Sequence, residues 1–177
     1  MQPRVHILLA GVLLWVTQYT AAAKQIRLLK GRLLLDSPAE LSPSSGSPTR
    51  SDRYSILADL ASPDHSFSVR VTYGKHTLES PDLADFLREK VTHYSRLQTK
   101  EPHFRWIEHQ IIQRDGRQWA EISFSHDNDS GAHVYTRCLS CFIEGRLLEI
   151  WVLTRHAADA TQKASVDRLI DSVRLTS

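Results

Sequence analysis

The densest run of side chains able to hold a metal or move a proton is His126-Asp127-Asn128-Asp129-Ser130-Gly131-Ala132-His133. Imidazole and carboxylate are the donors that zinc and related divalent ions select. His126, Asp127, Asp129 and His133 would converge if the run folded back tightly on itself. The same composition is that of a polar turn between two strands, because Asn, Asp, Ser and Gly close turns through side-chain hydrogen bonds and backbone freedom. It is not a calcium loop of the helix-loop-helix kind, since the glutamate that ends such a loop is missing. These four residues are the metal candidates, set against an ordinary polar turn, and nothing else in the chain calls for a cofactor.

Other chemistry-bearing residues are less constrained. Cys138 and Cys141 lie in Arg137-Cys138-Leu139-Ser140-Cys141, which reads as a strand. Residues so spaced on a strand face opposite ways and stand about 10 Å apart, beyond the roughly 7 Å that a disulfide tolerates. The pair is expected to stay open as small, partly buried side chains. His103 and His109 share strand parity but stand about 20 Å apart, too far to ligate one ion. Gly-x-Ser-x-Gly, Ser-x-x-Lys and a Gly-rich phosphate loop are all absent, so no nucleophile is assigned and no catalytic residue is expected. Asp82, Asp85 and Glu89 fall at helical spacing and read as a solvated helix face.

Aromatic residues offer a different possibility. Trp106, Trp119 and Trp151 fall on neighbouring strands, with Arg105, Arg117, Arg137 and Arg155 near them. Trp and Arg are enriched where proteins bind one another, so Trp106, Trp119, Trp151, Arg137 and Arg155 are the protein-binding candidates. The alternative is that the last helix covers these rings as core.

The elements that must position these groups are legible from period. Ile26 to Leu35 reads as a strand or hairpin, followed by a Ser/Pro-rich loop over 36–52. Tyr54, Ile56, Ala58 and Leu60 share one parity, as do Phe67, Val69, Val71 and Tyr73, with Ser62-Pro63-Asp64 turning between the two runs. Alternation of this kind predicts half-buried strands. Ser80-Pro81-Asp82 suits a helix start, and Leu83, Phe86, Leu87, Val91 and Tyr94 continue it at helical spacing to about Gln98. Four strands follow, Phe104 to Gln113, Arg117 to His126, His133 to Ile143 and Arg146 to Thr154, joined by Arg114-Asp115-Gly116, the 127–131 turn and Glu144-Gly145. A closing helix from near Ala157 carries Val166, Leu169, Ile170 and Val173 on one face. The fold class is α+β, an antiparallel meander with helices. Both parities of the meander carry large apolar residues, which calls for cover on both faces.

The first 23 residues run from Arg4 through the apolar stretch Ile7 to Val16 to Ala21-Ala22-Ala23, with no acid among them. Charge, short apolar run and small residues in that order are the pattern of a secretory signal peptide. The run is shorter than the roughly 20 residues a membrane span needs. The expected organisation is a signal peptide over 1–23 and one α+β domain over 24–177, exported, with the bacterial periplasm as the best-fitting compartment. A net charge of +2 over the whole chain is no footprint for nucleic acid, which needs clustered Lys and Arg.

The order of elements resembles the PsbP-like fold family, which takes in Mog-type and DcrB-type proteins. The resemblance rests on Phe67-Ser68-Val69-Arg70-Val71, the helix from Pro81, the meander, and the closing run Leu169-Ile170-Asp171-Ser172-Val173-Arg174, and spans most of residues 50–176. It implies an α/β/α sandwich. The family includes photosystem extrinsic subunits, a Ran-binding nuclear import factor and many exported bacterial proteins of unknown role. Its members share no catalytic residues and mostly bind other proteins. The expected function is therefore a non-enzymatic binding or accessory protein of the cell envelope whose partner is another protein. The alternatives are a small metal-dependent or hydrolytic enzyme using the His126–His133 turn and a structural subunit of an envelope complex.

Overall fold

The computed structural model describes residues 24–37, 40–44, 54–75, 82–98, 103–128, 130–155 and 160–176. The expected signal peptide lies outside them, as do Ser80, Pro81, Asp129 and residues 156–159. Among the described residues, no helix is long and apolar enough to cross a membrane.

The N-terminal hairpin pairs β1 (Lys24–Leu28) with β2 (Leu33–Ser37). Strand β2 runs into the expected Ser/Pro loop because Ser37 is buried and pairs with Lys24. Part of that loop is also a strand, β3 (Ser42–Pro43), on the outer edge of β4 (Tyr54–Ala61). An edge tolerates Pro43, whose missing N–H breaks no ladder there. Strands β5 (Phe67–Lys75), β6 (Arg105–Arg114), β7 (Arg117–Asp127), β8 (His133–Ile143) and β9 (Arg146–Thr154) complete an antiparallel sheet ordered β3-β4-β5-β9-β8-β7-β6. The tight turns at Asp115-Gly116 and Glu144-Gly145 have positive φ at both residues, the geometry that matches the twist of two joined strands.

Two bulges reset the alternation. In β4 the register shifts between Ile56 and Ala58. Ala58 and Leu60 then point into the main core, while Tyr54 and Ile56 face the other side opposite Gly74 and Thr72. The single parity expected for Tyr54 through Leu60 is corrected accordingly. A second shift lies between Trp106 and Glu108 in β6.

Both sheet faces are covered, as the double apolar parity requires. On one side lie α2 (Ala160–Ser172) and a small sheet of β1, β2 and β10 (Arg174–Leu175). Val166, Leu169 and Ile170 of α2 meet Leu139, Leu148, Ile150 and Val152, all fully buried. On the other side lies α1 (Leu83–Gln98), whose Leu83 and Phe86 sit over Ala120 and Leu147. Asp82 stands at its N-terminus: its carboxylate accepts the Ala84 N–H at 2.7 Å and its carbonyl the Phe86 N–H at 3.0 Å.

Candidate functional site

Of the four metal candidates, Asp129 lies outside the described residues, and two of the other three come together. Asp127 and His133 pair across β7 and β8, with Nδ1 and Oδ1 2.8 Å apart, and the second Asp127 oxygen is 3.4 Å from Nδ1 of His103. The His133 hydrogen bond holds the Asp127 carboxyl below its ordinary range. His126, one residue earlier, faces the opposite side of the sheet and packs beside Phe104 and Phe124, which removes it from the candidate set. Among the described residues, no three His, Cys, Asp or Glu side chains are grouped as a metal site. Asn128 closes the turn, its carboxamide oxygen accepting from Ser130 N, Ser130 Oγ and Ala132 N at 3.0, 2.7 and 2.9 Å. Asn128-Asp129-Ser130 also has the Asn-x-Ser form of a glycosylation acceptor.

Cys138 and Cys141 are both free and buried, and they enter different cores. Cys138 lies with Ile122 and Phe124 on the α1 side, and Cys141 with Leu139 and Ile143 on the α2 side. Burial pushes the Cys141 thiol up to about 12 and that of Cys138 higher still. Neither offers a thiolate for chemistry near neutral pH.

The three tryptophans also divide between faces, which corrects the expectation of one aromatic surface. Trp119 is fully buried in the α2-side core. Trp106 and Trp151 lie half-buried on the α1 side, in a cluster centred on Tyr94 that includes Phe104 and Phe124. Helix α2 therefore covers only one of the rings, and α1 borders the other two. Arg137 is committed internally: its Nε donates to the buried Glu121, and its terminal nitrogens reach Asp167 at 3.1 Å and Asp171 at 3.3 Å. Burial works against its charge, but the Glu121 hydrogen bond and these carboxylates outweigh that and raise its pKa. Tyr135 donates to the same Asp167 at 3.1 Å and Gln110 to Glu121 at 3.2 Å. This network fastens α2 to β8 and leaves Arg137 no role on the surface.

Trp151 and Arg155 do meet at a surface. Helix α1 packs against β6 and β7, and its Phe86 and Lys90 reach Leu147 and Trp151 of β9; beyond it, among the described residues, the same face continues over β5 and β4. There a cleft of about 500 Å³ is lined by Asp59 and Ala61 of β4, Ser68 and Arg70 of β5, Trp151 and Leu153 of β9, then Arg155, Tyr94, His65 and Ser44. Strand pairing sets Arg70 between Asp59 and Trp151, and Arg70 Nη2 bonds Asp59 Oδ2 at 2.8 Å. Lys90 of α1 lies 5.5 Å over the Trp151 ring and 3.0 Å from Glu149. Burial raises the Tyr94 hydroxyl above the usual phenol range, so it acts as a neutral donor. The cleft can bind through stacking, guanidinium pairing and hydroxyl hydrogen bonds. Asp59, Arg70 and Tyr94 were not singled out in sequence, because strand pairing and helix packing, rather than any motif, bring them together.

No protein-family model matches the sequence, and no curated protein does. Solved structures do match its fold. The cyanobacterial PsbP (CyanoP) of Synechocystis sp. PCC 6803 superposes with a TM-score of 0.54 at 12% identity, over 98% of this chain and 99% of that one. The Saccharomyces cerevisiae Ran-binding protein Mog1p gives 0.53 at 12% identity, over 86% and 95%. PA94 of Pseudomonas aeruginosa, a protein of unknown function, gives 0.52 at 15% identity, over 85% and 94%. The sheet order, the helix on each face and these superpositions together establish that the chain has the PsbP-like fold.

Proposed function

We propose that this is a non-enzymatic binding or accessory protein that engages another protein through the α1-side face of its sheet. The observation that carries this reading is the cleft, which Trp151, Tyr94, Arg70 and Arg155 all line on the α1-side face. Those three residue types concentrate binding energy in protein interfaces. Mog1p, with the same fold, is a Ran-binding protein, which supports a binding role for the scaffold. What speaks for binding over a catalytic reading based on the 126–133 turn is that His126 faces the other side of the sheet from the Asp127–His133 pair. A subunit reading based on a broad apolar patch fares no better. Tyr54 and Ile111, the exposed large apolar residues among those described, stand on β4 and β6, near opposite edges of the sheet. The order of charge, apolar run and small residues over 1–23 supports export and work in a cell envelope, with the bacterial periplasm as the compartment.

The test is affinity capture of the tagged protein from its own envelope after chemical cross-linking, read by mass spectrometry. The expected result is one stoichiometric protein, retained by wild type and lost when Arg155→Glu and Arg70→Glu reverse the cleft's charge. A folded, abundant protein that retains no partner would overturn the reading.

A further inference from the structure

We propose that the cleft receives an extended acidic segment of the partner, with an aromatic or large aliphatic side chain laid against Trp151 and Tyr94 and a carboxylate paired with Arg155. This rests on the protein-binding reading above and specifies the chemistry that the partner presents.

Charge is the first argument. Arg70 is already bonded to Asp59 at 2.8 Å, whereas Arg155 has no ion-pair partner among the described residues and lines the same cleft. Among the described residues, the cleft therefore holds a guanidinium without an ion-pair partner in the same lining as two aromatic rings. Guanidinium is the cation whose planar fork matches a carboxylate with two parallel hydrogen bonds. Shape is the second. Ala61 and Ser68 are small, and with Leu153 and Trp151 they make a floor along three adjacent strands, while Tyr94 of α1 makes the wall. The volume of about 500 Å³ is within the range of small-molecule sites, but such sites enclose most of the ligand's surface. The lining of this cleft runs from Tyr94 across three strands to Ser44 beside the edge strand β3, a length that suits an extended segment.

Preorganisation is the third argument. His65, on the rim, has φ of 56°, a left-handed conformation that a non-glycine residue keeps only where its surroundings impose it. The Asp64 carboxylate imposes it, bonding Ser62 Oγ, Ser66 N and Ser66 Oγ at 2.5, 3.0 and 2.8 Å. The Ser66 carbonyl then accepts the Arg155 N–H at 2.8 Å. One hydrogen-bonded turn thus fixes the rim and the backbone that carries the unpaired cation, so less ordering is lost on binding.

The test is fluorescence anisotropy of the purified protein with a labelled peptide, Gly-Ser-Asp-Phe-Glu-Ser-Gly. Two analogues accompany it, one with Ala for Phe and one with Asn and Gln for the acids. The expected result is saturable binding, weakened about tenfold by Arg155→Gln, the loss of one charge-assisted hydrogen-bonded pair. The neutral analogue and the Ala analogue are each expected to bind at least several-fold more weakly. Arg168→Gln, on the exposed side of α2 at the opposite face, removes the same charge and should change nothing. Equal binding of the neutral peptide, or no effect of Arg155→Gln, would overturn the proposal. Indole-3-acetate saturating the cleft while the acidic peptide fails would also overturn it, in favour of a small aromatic acid. Capture of the envelope partner by Arg155→Gln as efficiently as by wild type would remove this proposal and leave the protein-binding reading standing. Absence of both partner and peptide binding would remove both.

Discussion

Arg137 shows how a residue that reads as a surface anchor in sequence becomes structural once its neighbours are known. Its partner Glu121 has a side chain only 2% exposed, so removing the cation strands a buried carboxylate. Arg137→Met is expected to cost about 3 kcal/mol in urea unfolding, and adding Glu121→Gln to it should recover part of that loss. Asp64 works by the same logic on the surface. Its hydrogen bonds to Ser62 and Ser66 hold its carboxyl at about 2 instead of 3.8, so the folded state takes up that proton less readily than the unfolded chain. The contribution is present in full above about pH 4, where the unfolded carboxyl is ionised, and is lost as pH falls towards 2. Unfolding midpoints measured between these limits should fall less steeply for Asp64→Asn than for wild type. The thiols are expected to be inert in the native protein, with Cys138 and Cys141 reacting with a disulfide reagent only after denaturation. Strand parity in the sequence already separated those two thiols. The same parity separates His126 from Asp127, so their opposite facing was legible too. The partners of Arg137 were not, because Asp167 and Asp171 arrive on a helix whose rotation is set by packing.

The elements follow local chemistry where that chemistry is strong. Asp-Gly and Glu-Gly turns, alternating strands and apolar helix faces all appear where the residues call for them. Glu144 sits in its turn at φ of 52°, which favours Asn or Gly over Glu. Glu144→Asn is therefore expected to stabilise the protein by a few tenths of a kcal/mol to about 1 kcal/mol in denaturant titration, less the small value of its exposed ion pair with Arg32. Asp82→Ala should cost about 1 kcal/mol through loss of the α1 cap. Leu169→Ala, which opens a cavity where α2 meets the sheet, should cost between about 2 and 5 kcal/mol. The bulge at Ile56 and the β3 strand at Ser42–Pro43 were not legible. A bulge adds a residue without changing composition, and β3 depends wholly on the edge that β4 offers.

The whole molecule is a sheet with two unequal covers. Helix α2 and the N-terminal hairpin close one face, joined by β10 pairing with β2. Among the described residues, helix α1 covers part of the other face, and the cleft lies between it and β4, β5 and β9. Of the five binding candidates named from sequence, Trp151 and Arg155 line this cleft. Asp59, Arg70 and Tyr94 could be added only when three strands and a helix were assembled. The most direct test of binding through this face is site-specific photo-cross-linking in the native envelope. One photoreactive residue replaces Ser68 on the cleft floor and another replaces Ala164 on the exposed surface of α2. A single protein adduct from position 68 and none from position 164 is the predicted result. An adduct from position 164 alone, or none from either in a folded protein, would contradict it.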